Sequence, residues 1–104
     1  MKAFLGTAAA TASLLLCGTV QAQTNTTDFQ ARAWAASCAA CHGTDGKSNS
    51  AIPAIAGQDK QVLLTKLLAY KRDQLPATVM HQHAKGYTDA ELDRLATHFS
   101  RQPK

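Results

Sequence analysis

The sequence is poor in the features that mark most function classes. Aromatic residues make up 6% of its 104 positions, and no basic stripe with interleaved aromatics runs along it, so the footprint of a nucleic-acid binder is missing. The formal charge of +4 at pH 7 is mild. No apolar run is long enough to span a bilayer: the best one, Ala3 to Gly18, is broken by Gly6, Thr7 and Thr11. No nucleophile–base pair stands out, which argues against an enzyme with its own active site. There are only two methionines and three cysteines. Nothing offers the second ligand pair that a structural zinc site needs, or the βαβ context of a thioredoxin-like motif.

What is there is concentrated in Cys38-Ala39-Ala40-Cys41-His42. This C-x-x-C-H spacing is the signature of covalent c-type haem attachment. Two thiols three residues apart can add to the two vinyl groups of one haem as thioethers. The adjacent histidine then supplies a nitrogen to the iron. With Cys38 and Cys41 committed in this way, no structural disulfide is expected, although an oxidising compartment would permit one.

The compartment is read from the other end of the chain. Lys2, the apolar run around Leu14-Leu15-Leu16, and Val20-Gln21-Ala22 have the order of a secretory signal peptide, cleaved after Ala22. The expected organisation is therefore residues 1–22 as signal and 23–104 as one domain, located in the periplasm. Cys17 falls within the signal. Lipid modification there would anchor the protein, but Leu16 is larger than the residue such a site wants before its cysteine. Loss of Lys2 lowers the charge from +4 to +3. Lysines around an exposed haem edge would suit an acidic redox partner, although a solvated surface explains any single one. So small a domain is marginal on its own core, and the apolar faces of a haem would complete it.

Three helices are expected. The first is capped by Thr27, with Gln30 three residues on, and runs through Cys38, with Phe29, Ala33 and Ala36 on its packing face. The lone Trp34 can pack near the haem or serve in the core or at its edge. Residues 43–57 are rich in turn formers and read as a loop. Its Ile52-Pro53-Ala54 stretch is placed to hold the free ring nitrogen of His42, or Pro53 simply stiffens it. Asp59 caps a second helix to about Asp73, with Leu63, Leu64, Leu67 and Leu68 forming an apolar stripe. Leu75-Pro76 opens a second loop through His83. Thr88 and Glu91 form a capping box for the last helix, on which Leu92, Leu95, Ala96 and Phe99 recur at i, i+3, i+4, i+7. That helix frays near Arg101, and His98 sits half-buried on it.

The loop after Pro76 holds the candidates for the second axial position on the iron. Met80 is the sole methionine after the signal and is favoured, because a methionine on the loop opposite the histidine is a common axial ligand in haem proteins, where it raises the reduction potential. His81 and His83 are the rivals and would give a bis-histidine site of lower potential.

These residues together resemble a class I cytochrome c. The resemblance rests on C-x-x-C-H after a first helix, Ile52-Pro53-Ala54-Ile55-Ala56-Gly57-Gln58, a lone Met80 and a capped last helix, and it covers essentially all of residues 23–104. It implies an all-α fold around one covalent haem c, with first and last helices crossing, His42 and Met80 as iron ligands, and the Pro53 carbonyl accepting from His42. His98 stands where the family often has Tyr or Trp, which puts the strength of the helix crossing in question.

A narrower likeness lies in Pro76-Ala77-Thr78-Val79-Met80 and Ala84-Lys85-Gly86-Tyr87-Thr88-Asp89-Ala90-Glu91. This stretch is similar to cytochrome subunits of flavocytochrome c sulfide dehydrogenases. It implies a one-electron carrier that accepts electrons from a flavoprotein (FAD) partner oxidising sulfide. Some members of that family carry two haem domains, whereas this chain has one C-x-x-C-H. The alternatives are a free electron shuttle to an oxidase or similar acceptor, and a haem sensor from which Met80 dissociates to admit a small ligand.

Overall fold

A computed structural model describes residues 26–104. The segment 1–22 expected to be a signal peptide, with Cys17, and residues 23–25 lie outside the described residues. The described chain is helical without strands: α1 (Thr26–His42), a 3-10 turn (Thr44–Gly46), α2 (Lys60–Lys71), α3 (Met80–Lys85) and α4 (Asp89–Ser100). Helix α4 packs on both α1 and α2, and α3 packs on α2. No helix among the described residues is long and apolar enough to cross a membrane.

Helix α4 is the centre of the packing. Its capping box is complete: the Glu91 amide donates to the Thr88 hydroxyl at 3.2 Å, and the Thr88 amide donates to the Glu91 carboxylate at 2.7 Å. Leu92, Leu95, Ala96 and Phe99 are all buried and join Ala35 and Leu63 in one core cluster. Removing the cap hydroxyl in Thr88→Ala is expected to cost about 1 kcal/mol, measured as a lower denaturant midpoint with unchanged slope.

Helix α2 starts where its cap predicts, with Asp59 accepting from the Val62 amide at 3.0 Å. Its end is a Schellman motif. Asp73 takes the left-handed conformation (φ 56°), its amide donates to Tyr70 O at 3.1 Å, and the Gln74 amide donates to Ala69 O at 2.8 Å. Of the leucine stripe only Leu63 is buried; Leu64, Leu67 and Leu68 are half-buried against the core cluster.

Helix α1 departs from the sequence reading in two ways. It is already helical at Thr26, the first described residue, which puts Thr27 inside the helix, and it continues beyond Cys38 to His42. Its packing face is also different. Ala31 and Ala35 are buried and Trp34 and Cys38 pack on the core, whereas Phe29 is 76% exposed and Ala33 and Ala36 are exposed. The cause is the alanine content of this helix. Positions 29, 33, 36 and positions 31, 35, 38 repeat equally well, and the close approach of α4 selects the stripe of small side chains. Trp34 lies edge-on to Tyr87 at 6.0 Å between centroids, and the Arg94 guanidinium sits 4.7 Å above its ring.

The second loop also departs from expectation, because its last part is helix α3. Residues 77–85 contain no glycine or proline, so a helical turn can form after Val79. Ion pairs tie these elements at the surface: Lys60 to Asp93 at 2.9 Å, Lys71 to Asp89 at 2.7 Å, and Lys85 to Asp73 at 2.7 Å. Hydrogen bonds from Lys85 and Lys71 hold the carboxyls of Asp73 and Asp89, respectively, below their usual range. A depressed carboxyl contributes stability above its unfolded pKa and loses it as the pH falls through the folded one. Both groups are exposed, so the contribution is small.

Candidate functional site

Cys38, Cys41 and His42 occupy the last turns of α1, at i, i+3 and i+4, and so share one side of the helix. Cys38 is half-buried on the core, and Cys41 is exposed. Burial pushes the Cys38 thiol up, which keeps it neutral. Among the described residues no three His, Cys, Asp or Glu side chains converge as a metal cluster.

Helix α1 ends because Gly43 adopts φ 80°, a conformation open to glycine, and the chain turns back. That reversal brings the Pro53 carbonyl within 2.7 Å of His42 Nδ1. A carbonyl can only accept, so Nδ1 carries the proton and Nε2 presents its lone pair. Ring orientation and tautomer are thereby set by one contact.

The segment that supplies this carbonyl is braced from behind. The Gly46 carbonyl accepts from the amides of Ile55 (2.8 Å) and Ala56 (3.0 Å), and the Gly57 amide donates to Phe99 O at 2.9 Å. Gly46 is the residue this brace cannot change. It is buried at φ 79°, and a Cβ there would stand 2.7 Å from Ile55 Cγ1 and 2.9 Å from Phe99 Cδ1. Gly46→Ala combines a left-handed penalty with overpacking and is expected to cost about 2–4 kcal/mol, read as a lower thermal midpoint of the holoprotein. The sequence reading saw Gly46 only as a turn former.

Met80 comes from a separate element. It is the first residue of α3, half-buried, and follows Val79 at the helix cap. Its two rivals are placed differently. His81 Nε2 lies 2.7 Å from Leu75 O, with its ring edge-on to Tyr70 at 6.1 Å; His83 is exposed. The His81–Leu75 contact had no signal in the sequence, since it joins a side chain to a backbone atom across a loop.

The residues present suit a haem. Two thiols and one oriented imidazole share a helix face. Ile55, Leu64, Leu67 and Leu68, half-buried against the core, supply apolar surface for a flat macrocycle. A thioether on α3 adds a soft donor.

Comparison with known proteins gives the same direction. Residues 30–100 match the cytochrome c family. The cytochrome subunit of sulfide dehydrogenase from Chlorobaculum tepidum is 48% identical over 63 residues, which cover 61% of this chain and 57% of that protein. The chain thus spans little more than half of that relative. Cytochrome c-554(548) of Halomonas halodenitrificans is 35% identical over 62% of this chain and 83% of its own length. Cytochrome c-553 of Desulfomicrobium norvegicum is 30% identical over 68% of this chain and 92% of its own.

Proposed function

Since the chain belongs to the cytochrome c family, whose members carry electrons on a covalently bound haem c, we propose that it is the periplasmic haem subunit of a flavoprotein sulfide dehydrogenase. The observation that carries this is the 48% identity over 63 residues to a protein named the cytochrome subunit of sulfide dehydrogenase; the flavoprotein partner is part of the proposal. The haem, when bound, supplies a one-electron couple at its iron. The chain's residues have the remaining tasks. Cys38 and Cys41 tether the macrocycle through thioethers, each thiol adding its sulfur and hydrogen across a vinyl double bond. His42 would give Nε2 to the iron, and the Pro53 carbonyl, 2.7 Å from Nδ1, holds the ring in that orientation. Met80 would supply a sulfur ligand from α3. With His42 and Met80 both held to the iron, the bound haem would exchange electrons and leave no position for a substrate. A fixed ligand set also limits the reorganisation that each transfer requires.

The second reading is a free electron shuttle. It draws on coverage: the alignments take in 83% and 92% of cytochromes c-554(548) and c-553 but 57% of the sulfide dehydrogenase subunit. Purification of the native protein separates the two. The subunit reading expects a flavin-containing partner to co-purify and sulfide to reduce the haem within that complex. A haem protein that migrates alone, and is reduced by sulfide no faster with the periplasmic extract than without it, contradicts the subunit reading and favours the shuttle.

A further inference from the structure

We propose that His81 is a positioning residue: its imidazole latches the turn that carries Met80 to the Leu75 carbonyl and does not compete for the iron. The inference rests on the reading of Met80 as the sulfur ligand.

The segment that bears Met80 has little internal support. Helix α3 is six residues long and has no side-chain cap at Val79, far below the length at which a helix holds itself together. Pro76, Thr78 and Val79, which lead into it, are exposed. Besides the packing of α3 on α2, where Ala84 is buried, two side-chain hydrogen-bonding contacts close the loop. At its neck Lys85 donates to both carboxylate oxygens of Asp73, at 2.7 and 2.8 Å. Both partners are exposed, so water and salt weaken that pair. The second contact is the 2.7 Å hydrogen bond from His81 Nε2–H to Leu75 O, which is partly buried. The same ring meets Tyr70 of α2 edge-on, at 81°. Leu75 precedes a proline, which narrows its backbone freedom and makes its carbonyl a fixed anchor. His81 therefore ties the residue next to Met80 both to the loop entrance and to α2.

The nitrogen used is also the informative one. Nε2 is the more extended ring nitrogen, and here it carries the proton given to Leu75. An imidazole in this state has no Nε2 lone pair to offer a metal.

The consequence concerns how often Met80 leaves the iron. Ligation by a loop residue depends on the fraction of time the loop is in the competent conformation. Losing a partly buried hydrogen bond that holds it raises the small detached fraction by about tenfold.

The test uses the haem-loaded protein and two variants. His81→Phe keeps a ring against Tyr70 but has no donor. His81→Gln places an amide N–H where Nε2–H stood. Carbon monoxide binding to the ferrous form reports detachment of Met80, and the Met-to-iron charge-transfer band of the ferric form reports its attachment. The expected result is carbon monoxide binding in His81→Phe at a rate about tenfold or more above the wild-type detection limit, with a weaker band, and near wild-type behaviour in His81→Gln. His81→Phe with wild-type binding and band overturns the proposal, as does His81→Gln that leaks as much as His81→Phe. A wild-type protein with no Met-to-iron band would instead refute the underlying Met80 reading.

Discussion

Replacing Met80 with alanine is expected to abolish the Met-to-iron charge-transfer band of the ferric protein and to lower its reduction potential by on the order of 0.2 V, a fraction of the ~0.8 V range over which axial ligands tune haem. The physical reason is ligand softness. A thioether stabilises ferrous over ferric iron, and water or a nitrogen donor in its place does so less. The variant should also bind carbon monoxide in the ferrous form, which the parent should not. The attachment half of the site, on α1, is unaffected, so the haem should remain covalently bound at full stoichiometry. Optical spectroscopy and a potentiometric titration of parent and variant check each point. A band that survives in Met80→Ala assigns the sixth ligand elsewhere.

The second large effect is on folding. The double variant Cys38→Ala/Cys41→Ala, prepared without haem, is expected to lose most of its helical circular dichroism at 25 °C. Among the described residues only four large apolar side chains are buried: Leu63, Leu92, Leu95 and Phe99. The other buried hydrophobic residues are alanines, which contribute little area. The half-buried Leu64, Leu67, Leu68 and Ile55 pack against this core without being covered by it. A domain of this size ordinarily needs a cofactor or crosslink to offset chain entropy. A haem-free chain with native-like helix content and a cooperative thermal transition would contradict this, and would show that α1, α2 and α4 suffice on their own.

Legibility of the fold followed the strength of the local signal. Helices α2 and α4 were readable because Asp59 and Thr88 are good caps and because leucine and phenylalanine at helical spacing specify a buried face without ambiguity. The face of α1 was not readable. Its alanines offer two equivalent stripes, and a bulky Phe29 pointed to the wrong one, since α4 approaches the small residues. Helix α3 was missed for a related reason: six residues carry too little periodicity to stand out from a loop.

In the site, the C-x-x-C-H spacing is a covalent requirement and was legible directly. The contact between Pro53 and His42 was suggested by the turn-rich loop between them. The bracing of that loop by Gly46 and the contact between His81 and Leu75 depend on how distant segments meet. Neither leaves a pattern in the order of residues.

The central claim is that both axial positions of a covalently held haem are filled by this chain, so that the protein transfers electrons and binds nothing at its iron. The most direct measurement is exposure of the purified ferrous wild-type protein to carbon monoxide at neutral pH. The predicted result is an unchanged low-spin spectrum, together with a Met-to-iron charge-transfer band on oxidation. Rapid formation of a carbon monoxide adduct would contradict the claim and favour a ligand-binding haem protein.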